Sequence, residues 1–273
     1  MLRPVLEHVG PLRALGAAVL RRRQAAKVEI DGLHYSLHPG DFGVTLELHG
    51  AGAYEPGSLA AMLAALPEGG CFVDVGAHVG LFTLPAARHV GPGGTVIAFE
   101  PDPDNRRLLL ANLERNDLAD RVHVIPAAVG EHDGTAVLQR SAWNTGDHRL
   151  AGAPRGRRGV EVPLKSLHDT LAQRQVQADV IKIDVQGYEP PVMRGLGTPD
   201  PLPTVLLEYS PSMVRDAGED PEAMLAMLAQ AGWTIATIDE DSGDVDVVDV
   251  EAIIKTCPEQ GYVNLLCRPG GGA

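Results

Sequence analysis

The sequence predicts an α/β protein built on a doubly wound, mostly parallel sheet, and three observations predict it. Short apolar runs recur through the middle of the chain: CFVDV at 71–75, TVIAFE at 95–100, DVIKIDV at 179–185 and PTVLLEY at 203–209. Helical patterns separate these runs, which is the order expected of successive βαβ units. The first run is followed by Gly76 and Gly80, a glycine turn of the kind that joins a strand to a helix beside a nucleotide-containing ligand.

A chain of 273 residues suits one sizeable α/β domain with some additional material, and 44% hydrophobic residues can fill its core. The formal net charge of −13 argues against a nucleic acid partner, because phosphate-backbone binding needs clustered Lys and Arg. It favours a small or uncharged substrate, or a carrier-bound one. Cys71, Cys257 and Cys267 are far apart and lack metal-ligand spacing, as expected of reduced thiols in a cytoplasmic protein. Near the start, LRALGAAVL has Glu7 before it and Arg21, Arg22 and Arg23 after it, the reverse of a signal peptide. No run reaches membrane-spanning length, so no membrane partner is expected, and the arginines read as a solvated helix end. A homo-oligomer is left open.

Taken in order, residues 1–25 are expected to be helical, KVEIDGLHYSLH (27–38) a strand, and DFGVTLEL (41–48) its partner across Pro39-Gly40. Ser58 to Leu66 is a helix with Ser58 as N-cap. These elements make residues 1–65 a cap or leader, followed by a main domain over 66–273. In the main domain a helix is expected from Val79 to His89. The next begins with Asp102 as N-cap and Pro103 at its first position, with Leu108, Leu109 and Leu113 on one face. RVHVIPAAV (121–129) reads as the third strand, and VEVPL precedes a helix started by Ser166. Asp220-Pro221 repeats the cap signal, Met224 and Met227 pack that helix, and Gly232 stops it. WTIATID, VDVVDV and GYVNLLCR then follow without intervening helices, which suggests antiparallel pairing at the sheet edge. The acidic stretch from Asp239 to Glu251 lacks the ligand order of a calcium loop and reads as a solvated hairpin.

At the glycine turn, His78 occupies the position where a dinucleotide fold carries its second glycine. A side chain there crowds a pyrophosphate but suits a ligand with adenosine and an amino-acid tail. Glu100 closes the second strand, where a carboxylate can accept hydrogen bonds from both ribose hydroxyls. The segments VDVGAHVG, IAFEPDPDN, PAAVGEHDGTAVL, VPLKSLHD and IKIDVQGYE occur in that order, spread through residues 54–209. Together they resemble the FkbM-type family of S-adenosylmethionine-dependent methyltransferases.

That resemblance implies a Rossmann-like class I methyltransferase sheet of seven strands with an antiparallel last strand. It implies S-adenosyl-L-methionine over the carboxyl ends of the first strands. Asp74, Gly76, Ala77, His78 and Gly80 would line the methionine side, Glu100 the ribose, and Pro101, Ala127 and Ala128 the adenine. Tyr54 and Glu55 match a family position just upstream, although a turn and helix entry explains them equally well. Two departures stand out: His78 replaces an Asn, and Gln186 replaces the Glu of IDVEG.

Methyl transfer requires an acceptor atom aligned with the methyl and, for a hydroxyl, removal of its proton. Asp184 ends a buried strand at the cofactor edge and is the natural catalytic carboxylate, with the capping of the following turn as its structural alternative. Lys182 lies on the same strand face and is a further catalytic candidate. It needs a partner, Asp184 or Glu189, and a structural Lys182–Glu189 salt bridge is the preferred pairing. The loop SAWNTGDHRL (141–150) offers Trp143 and Asn144 as substrate contacts and His148 as either a competing base or a solvated loop histidine. Asp184 and Glu208 end neighbouring strands much as the metal ligands of catechol O-methyltransferases do, but two oxygens are too few for a divalent metal, which is not favoured. The sequence is thus read as an O-methyltransferase for a hydroxyl of a small natural product, sugar or glycan. A nitrogen or carboxyl methyltransferase, a nicotinamide oxidoreductase and a non-catalytic scaffold are its rivals. The Ala-, Gly- and Arg-rich composition is compatible with a bacterium of high genomic G+C.

Overall fold

The computed structural model describes residues 27–39, 41, 43–45, 48, 53–142 and 144–270. The helix expected over 1–25 and Trp143 lie outside these residues. The described chain opens with an antiparallel hairpin of β1 (Lys27–Ile30) and β2 (Leu33–Ser36). Asp31 (φ 48°) and Gly32 (φ 76°) are both left-handed, as a two-residue Asp-Gly turn demands. The expected single strand over 27–38 therefore folds back on itself. Its expected partner is not one: Val44, Thr45 and Leu48 are helical, and Asp41 Oδ2 accepts the Thr45 N–H at 2.9 Å to start that turn.

Helix α1 (Pro56–Ala65) leads into β3 (Cys71–Val75), α2 (Thr83–Val90), β4 (Thr95–Phe99), α3 (Pro103–Arg115) and β5 (Val122–Ile125). The chain continues through β6 (Ala128–Gly130), β7 (Gly134–Arg140), β8 (Arg158–Ser166), α4 (Leu167–Arg174), β9 (Val180–Ile183) and α5 (Glu189–Leu196). It ends with β10 (Thr204–Tyr209), α6 (Pro211–Asp216), α7 (Pro221–Gln230), β11 (Trp233–Ile238), β12 (Val245–Val247), α8 (Val250–Thr256) and β13 (Val263–Pro269). Among the described residues the main sheet has eight strands in the order β12-β11-β13-β10-β9-β3-β4-β5. Pairing is parallel from β10 to β5, and β13 runs antiparallel to both β10 and β11. Seven strands and the antiparallel last one are as expected. The eighth, β12, adds an antiparallel edge beyond β11.

Residues of β3 and β9 are buried on both faces, the environment that a continuous apolar run prefers. Phe72, Val96, Ala98 and Val180 share a core with Met62 of α1, Leu84 of α2 and Leu109 of α3. Leu33 and Tyr35 of the hairpin belong to that same core. On the opposite face Val73, Ile97, Ile181 and Ile183 pack with Leu167, Val192 and Leu225. No helix among the described residues is long and apolar enough to cross a membrane.

Three N-caps stand where the sequence places them: Asp102, Ser166 and Asp220 each accept backbone N–H bonds from the first helical turn. Other boundaries differ. Helix α2 starts at Thr83 instead of Val79, because Gly80 at φ 98° keeps the chain in a turn. The third strand is two strands in two sheets. Pro126 interrupts it, leaving β5 in the main sheet while β6 pairs with β8 in a three-stranded sheet β6-β8-β7. The alternating Val and Asp residues after β12 conceal α8, which Asp249 caps by accepting the Ala252 N–H at 2.7 Å.

Ser58 is not the cap of α1. It lies inside the helix, and Glu240 supplies the cap from the far end of the chain, accepting the N–H groups of Gly57 at 2.9 Å and Ser58 at 3.1 Å. The Ser58 hydroxyl also donates to Glu240, as does Asn264 Nδ2 at 2.9 Å. The acidic hairpin is therefore not uniformly solvated, since one of its carboxylates turns inward onto a positive helix end. Glu240→Ala should destabilise the protein by about 1–2 kcal/mol, the usual worth of such a cap. Urea unfolding should show a lower midpoint with an unchanged slope.

Candidate active site

A cavity lies at the carboxyl edge of β3, β4 and β9. The turn after β3 is pinned first. Gly76 and Ala77 both donate their N–H groups to the Phe99 carbonyl, at 3.1 and 3.0 Å. Gly76 sits at φ 89°, and a Cβ there would collide with the Asp184 carbonyl oxygen, so the turns after β3 and β9 can abut only through a glycine. His78 follows at φ 51°.

Glu100, immediately after β4, is buried, and its two oxygens accept the backbone N–H groups of His78 and Asp102, each at 2.7 Å. A carboxylate has about four acceptor positions, so roughly two are left for a ligand. Burial pushes the Glu100 carboxyl up to about 8, against the pull of the two N–H groups. Pro101, Ala127 and Ala128 line the same cavity, where they offer a flat apolar wall. Gly80 does not line it. Its backbone bends away, and a Cβ there would strike the side chains of Leu84 and Leu109.

The floor is ionic. Register sets Asp74 of β3 opposite Lys182 of β9, and Lys182 Nζ lies 3.9 Å from Asp74 Oδ1 and 3.3 Å from Asp184 Oδ2. It also stands 5.0 Å from the centre of the Phe82 ring. Burial works against the lysine charge, but Asp184, Asp74 and Glu55 outweigh it, and its pKa is raised. Asp74 accepts the Thr83 hydroxyl at 2.6 Å, and burial raises its pKa. The preferred Lys182–Glu189 pairing does not form. Glu189 Oε1 instead accepts the N–H groups of Val185 at 3.1 Å and Gly187 at 3.2 Å, closing the turn at the start of α5.

Asp184 opens onto the cavity between two donors, Lys182 on Oδ2 and Gln186 Nε2 on Oδ1 at 2.8 Å. The same Gln186 nitrogen donates to Glu208 Oε1 at 3.2 Å. Glu208 is held well above the ordinary carboxyl range by burial and then by the charge of Asp184. Tyr54 lines the cavity. Glu55 does not; it borders a small adjoining chamber with Lys182, Asp184 and Glu208.

His148 lines the cavity too, but it is neither solvated nor a free base. Its side chain is 8% exposed, Nδ1 accepts the Ser141 N–H at 3.1 Å, and Nε2 faces Asp102 Oδ2 at 3.6 Å. Burial lowers its pKa. Asn144 is not part of the lining: its side-chain Oδ1 accepts the Gly146 N–H at 3.0 Å and fills the space over Gly43. Thr145 and Gly146, which the sequence did not single out, face the cavity in its place.

The Methyltransferase FkbM domain family matches residues 74–234, the stretch that holds the glycine turn, Glu100 and Asp184. The chain belongs to this family. Relatives similar to it include methyltransferase sdnD of Sordaria araneosa, 29% identical over 168 residues, covering 49% of this chain and 63% of that protein. The 31-O-demethyl-FK506 methyltransferase FkbM of Streptomyces tacrolimicus is 32% identical over 163 residues, covering 50% of this chain and 62% of that protein. The chain thus spans less than two thirds of the length of these relatives. A solved FkbM methyltransferase from Methylobacillus flagellatus is similar in course, with a TM-score of 0.43, 13% identity and coverage of 94% of this chain and 59% of that one. A likeness of that size adds nothing to what the strand order already states.

Both departures from the FkbM pattern face this cavity. His78 directs Nε2 to the Thr145 hydroxyl at 2.8 Å, while its buried Nδ1 has no hydrogen-bond partner among the described residues. Gln186 places amide hydrogens between two carboxylates, which an acidic residue could not do without a proton or cation of its own. Because the Glu100 pKa is raised in the folded chain, its contribution to stability is complete below about 4.5 and is lost as the pH rises through about 8. Glu100→Gln should remove that dependence. Between about pH 5 and about pH 8 the variant's unfolding midpoint should rise relative to the unmodified chain. A difference that stays constant over that range would show that Glu100 does not hold its proton in this way.

Proposed function

We propose that this chain is an S-adenosylmethionine-dependent O-methyltransferase acting on a hydroxyl of a small natural product, sugar or glycan. The observation that carries the reading is Glu100, a buried carboxylate at the end of the second strand, fixed by two backbone N–H groups at the cavity. Membership of the FkbM family supports methyl transfer. The Streptomyces relative acts, by its name, on 31-O-demethyl-FK506, which supports an oxygen acceptor here. The net charge of −13 and the free cysteines support a cytoplasmic enzyme with an uncharged acceptor in preference to nucleic acid.

The residues fit the cofactor. Pro101, Ala127 and Ala128 would flank its base, Glu100 would accept its ribose hydroxyls, and the unpartnered His78 Nδ1 gives its amino-acid end a buried hydrogen-bonding atom. When bound, S-adenosylmethionine supplies a methyl group on a sulfonium that needs no further activation. The chain must then hold an acceptor oxygen in line and take its proton. Asp184 is suited to both tasks. Lys182 and Gln186 hold one oxygen each, leaving further acceptor positions for the hydroxyl, whose proton Asp184 would accept. Apolar Leu81, Phe82, Leu138 and Leu150 line the cavity and exclude water. The reading invokes no divalent metal, because the Gln186 amide lies between Asp184 and Glu208.

Calorimetry should find S-adenosylmethionine bound and NADH not bound; the reverse would overturn the reading. Glu100→Ala should weaken S-adenosylmethionine binding at least about tenfold, since it removes two hydrogen bonds sheltered from water. Acceptors can then be screened with a labelled methyl donor. Asp184→Asn should lower turnover by about 10²–10⁴-fold while leaving cofactor affinity within a few-fold. Unaltered turnover under saturating conditions would remove Asp184 from the chemistry.

A further inference from the structure

Thr145 is held at three points by three separate segments. Its N–H donates to Asp41 Oδ1 at 2.7 Å, from the segment between the hairpin and α1. Its carbonyl accepts Asn105 Nδ2 of α3 at 3.3 Å, and Asn105 Oδ1 in turn meets His38 Nε2 at 2.9 Å. Its hydroxyl meets His78 Nε2 at 2.8 Å. The third link differs from the others because His78 belongs to the turn after β3, and its own N–H is the one bound to Glu100 Oε2. A chain of two short hydrogen bonds therefore runs from Glu100 through one residue to the loop 141–150, whose Thr145, Gly146, His148 and Leu150 form part of the cavity wall.

We propose that His78 is a positioning residue that latches this loop to the turn after β3, so that the cofactor side and the acceptor side of the cavity close as one unit. The inference rests on the cofactor reading above. A nucleoside whose hydroxyls bind Glu100 steadies that carboxylate, the His78 N–H on it and hence the ring that holds Thr145. By linkage the closed loop favours the nucleoside to the same extent. An asparagine at position 78, which the FkbM pattern carries, is too short to bridge to Thr145 in the same way. The latch is thus a property of this chain's own histidine. The left-handed backbone at position 78 is tolerated by asparagine at least as well as by histidine, so the exchange tests the side chain rather than the turn.

The test is amide hydrogen exchange of the 141–150 loop in the full chain, with and without S-adenosylhomocysteine. In the unmodified protein the nucleoside should slow exchange there at least about tenfold. His78→Asn and Thr145→Val should each reduce that slowing to less than about twofold, and Thr145→Val should weaken nucleoside binding by about the factor that the slowing loses. The double variant should be no worse than the more affected single one, because both remove the same bond. Thr145→Val keeps the backbone bonds to Asp41 and Asn105, so it remains informative even if His78→Asn fails to fold. Protection in Thr145→Val equal to that of the unmodified chain, or losses that add in the double variant, would overturn the latch. If S-adenosylhomocysteine does not bind the unmodified chain, the cofactor reading fails, and the ligand-free loop decides the latch separately. Faster loop exchange in Thr145→Val than in the unmodified chain then supports it, and equal exchange overturns it.

Discussion

A protonated lysine beneath the cavity floor has to be neutralised, and much of the site follows from how that is done. Lys182 is 5% exposed, and water cannot compensate its charge. The compensation comes from Asp74 across the β3–β9 register, from Asp184 two residues along its own strand, and from the face of the Phe82 ring. A slip of one residue between β3 and β9 would turn Asp74 to the opposite core and leave the ammonium only Asp184 of these two carboxylates, so the ion group favours the central register of the sheet. It also fixes Asp184, whose carboxylate cannot leave Lys182 without exposing a buried charge. The placement of a candidate catalytic group is thereby made part of the packing of the core.

Much of the fold was legible because it depends on local chemistry. The runs at Cys71, Thr95, Val180 and Thr204 are apolar on both faces and can only be central strands. Asp102, Ser166 and Asp220 precede helices in the manner of capping residues and do cap them. The failures have equally physical origins. The Asp31-Gly32 turn competed with a longer strand pattern and prevailed because two successive residues could take left-handed φ. Pro126 split a run whose apolar pattern gave no sign of a change of sheet. For α1, the cap lies at Glu240, too far along the chain for any local rule to find.

The site divides in the same way. The turn from Gly76 to His78 and Glu100 could be placed from strand ends, and Pro101, Ala127 and Ala128 from the resemblance to the FkbM family; all of them line one cavity. The second layer could not. Gly80 looks like part of the turn's ligand surface but serves the packing of Leu84 and Leu109. Glu189 looks like a partner for Lys182, yet backbone amides claim it first. Thr145 is a neutral residue in a loop, and its importance comes from Asp41, Asn105 and His78, which reach it from three directions. Such convergence has no period and leaves no mark on a single segment.

Ala127 and Ala128 stand at the junction created by Pro126, where the chain leaves the main sheet for the three-stranded one. Both line the cavity, and an alanine has no rotamer to change, so the wall that they give it follows the main chain on either side of the change of sheet. Rotamer changes can do little to open it, whereas each methyl group added at these two positions projects into space that the backbone cannot yield. Preference for a flat aromatic ring at this place would then be an architectural tolerance, comparable to the gap between two fixed jaws, inherited from the point at which one strand changes sheets.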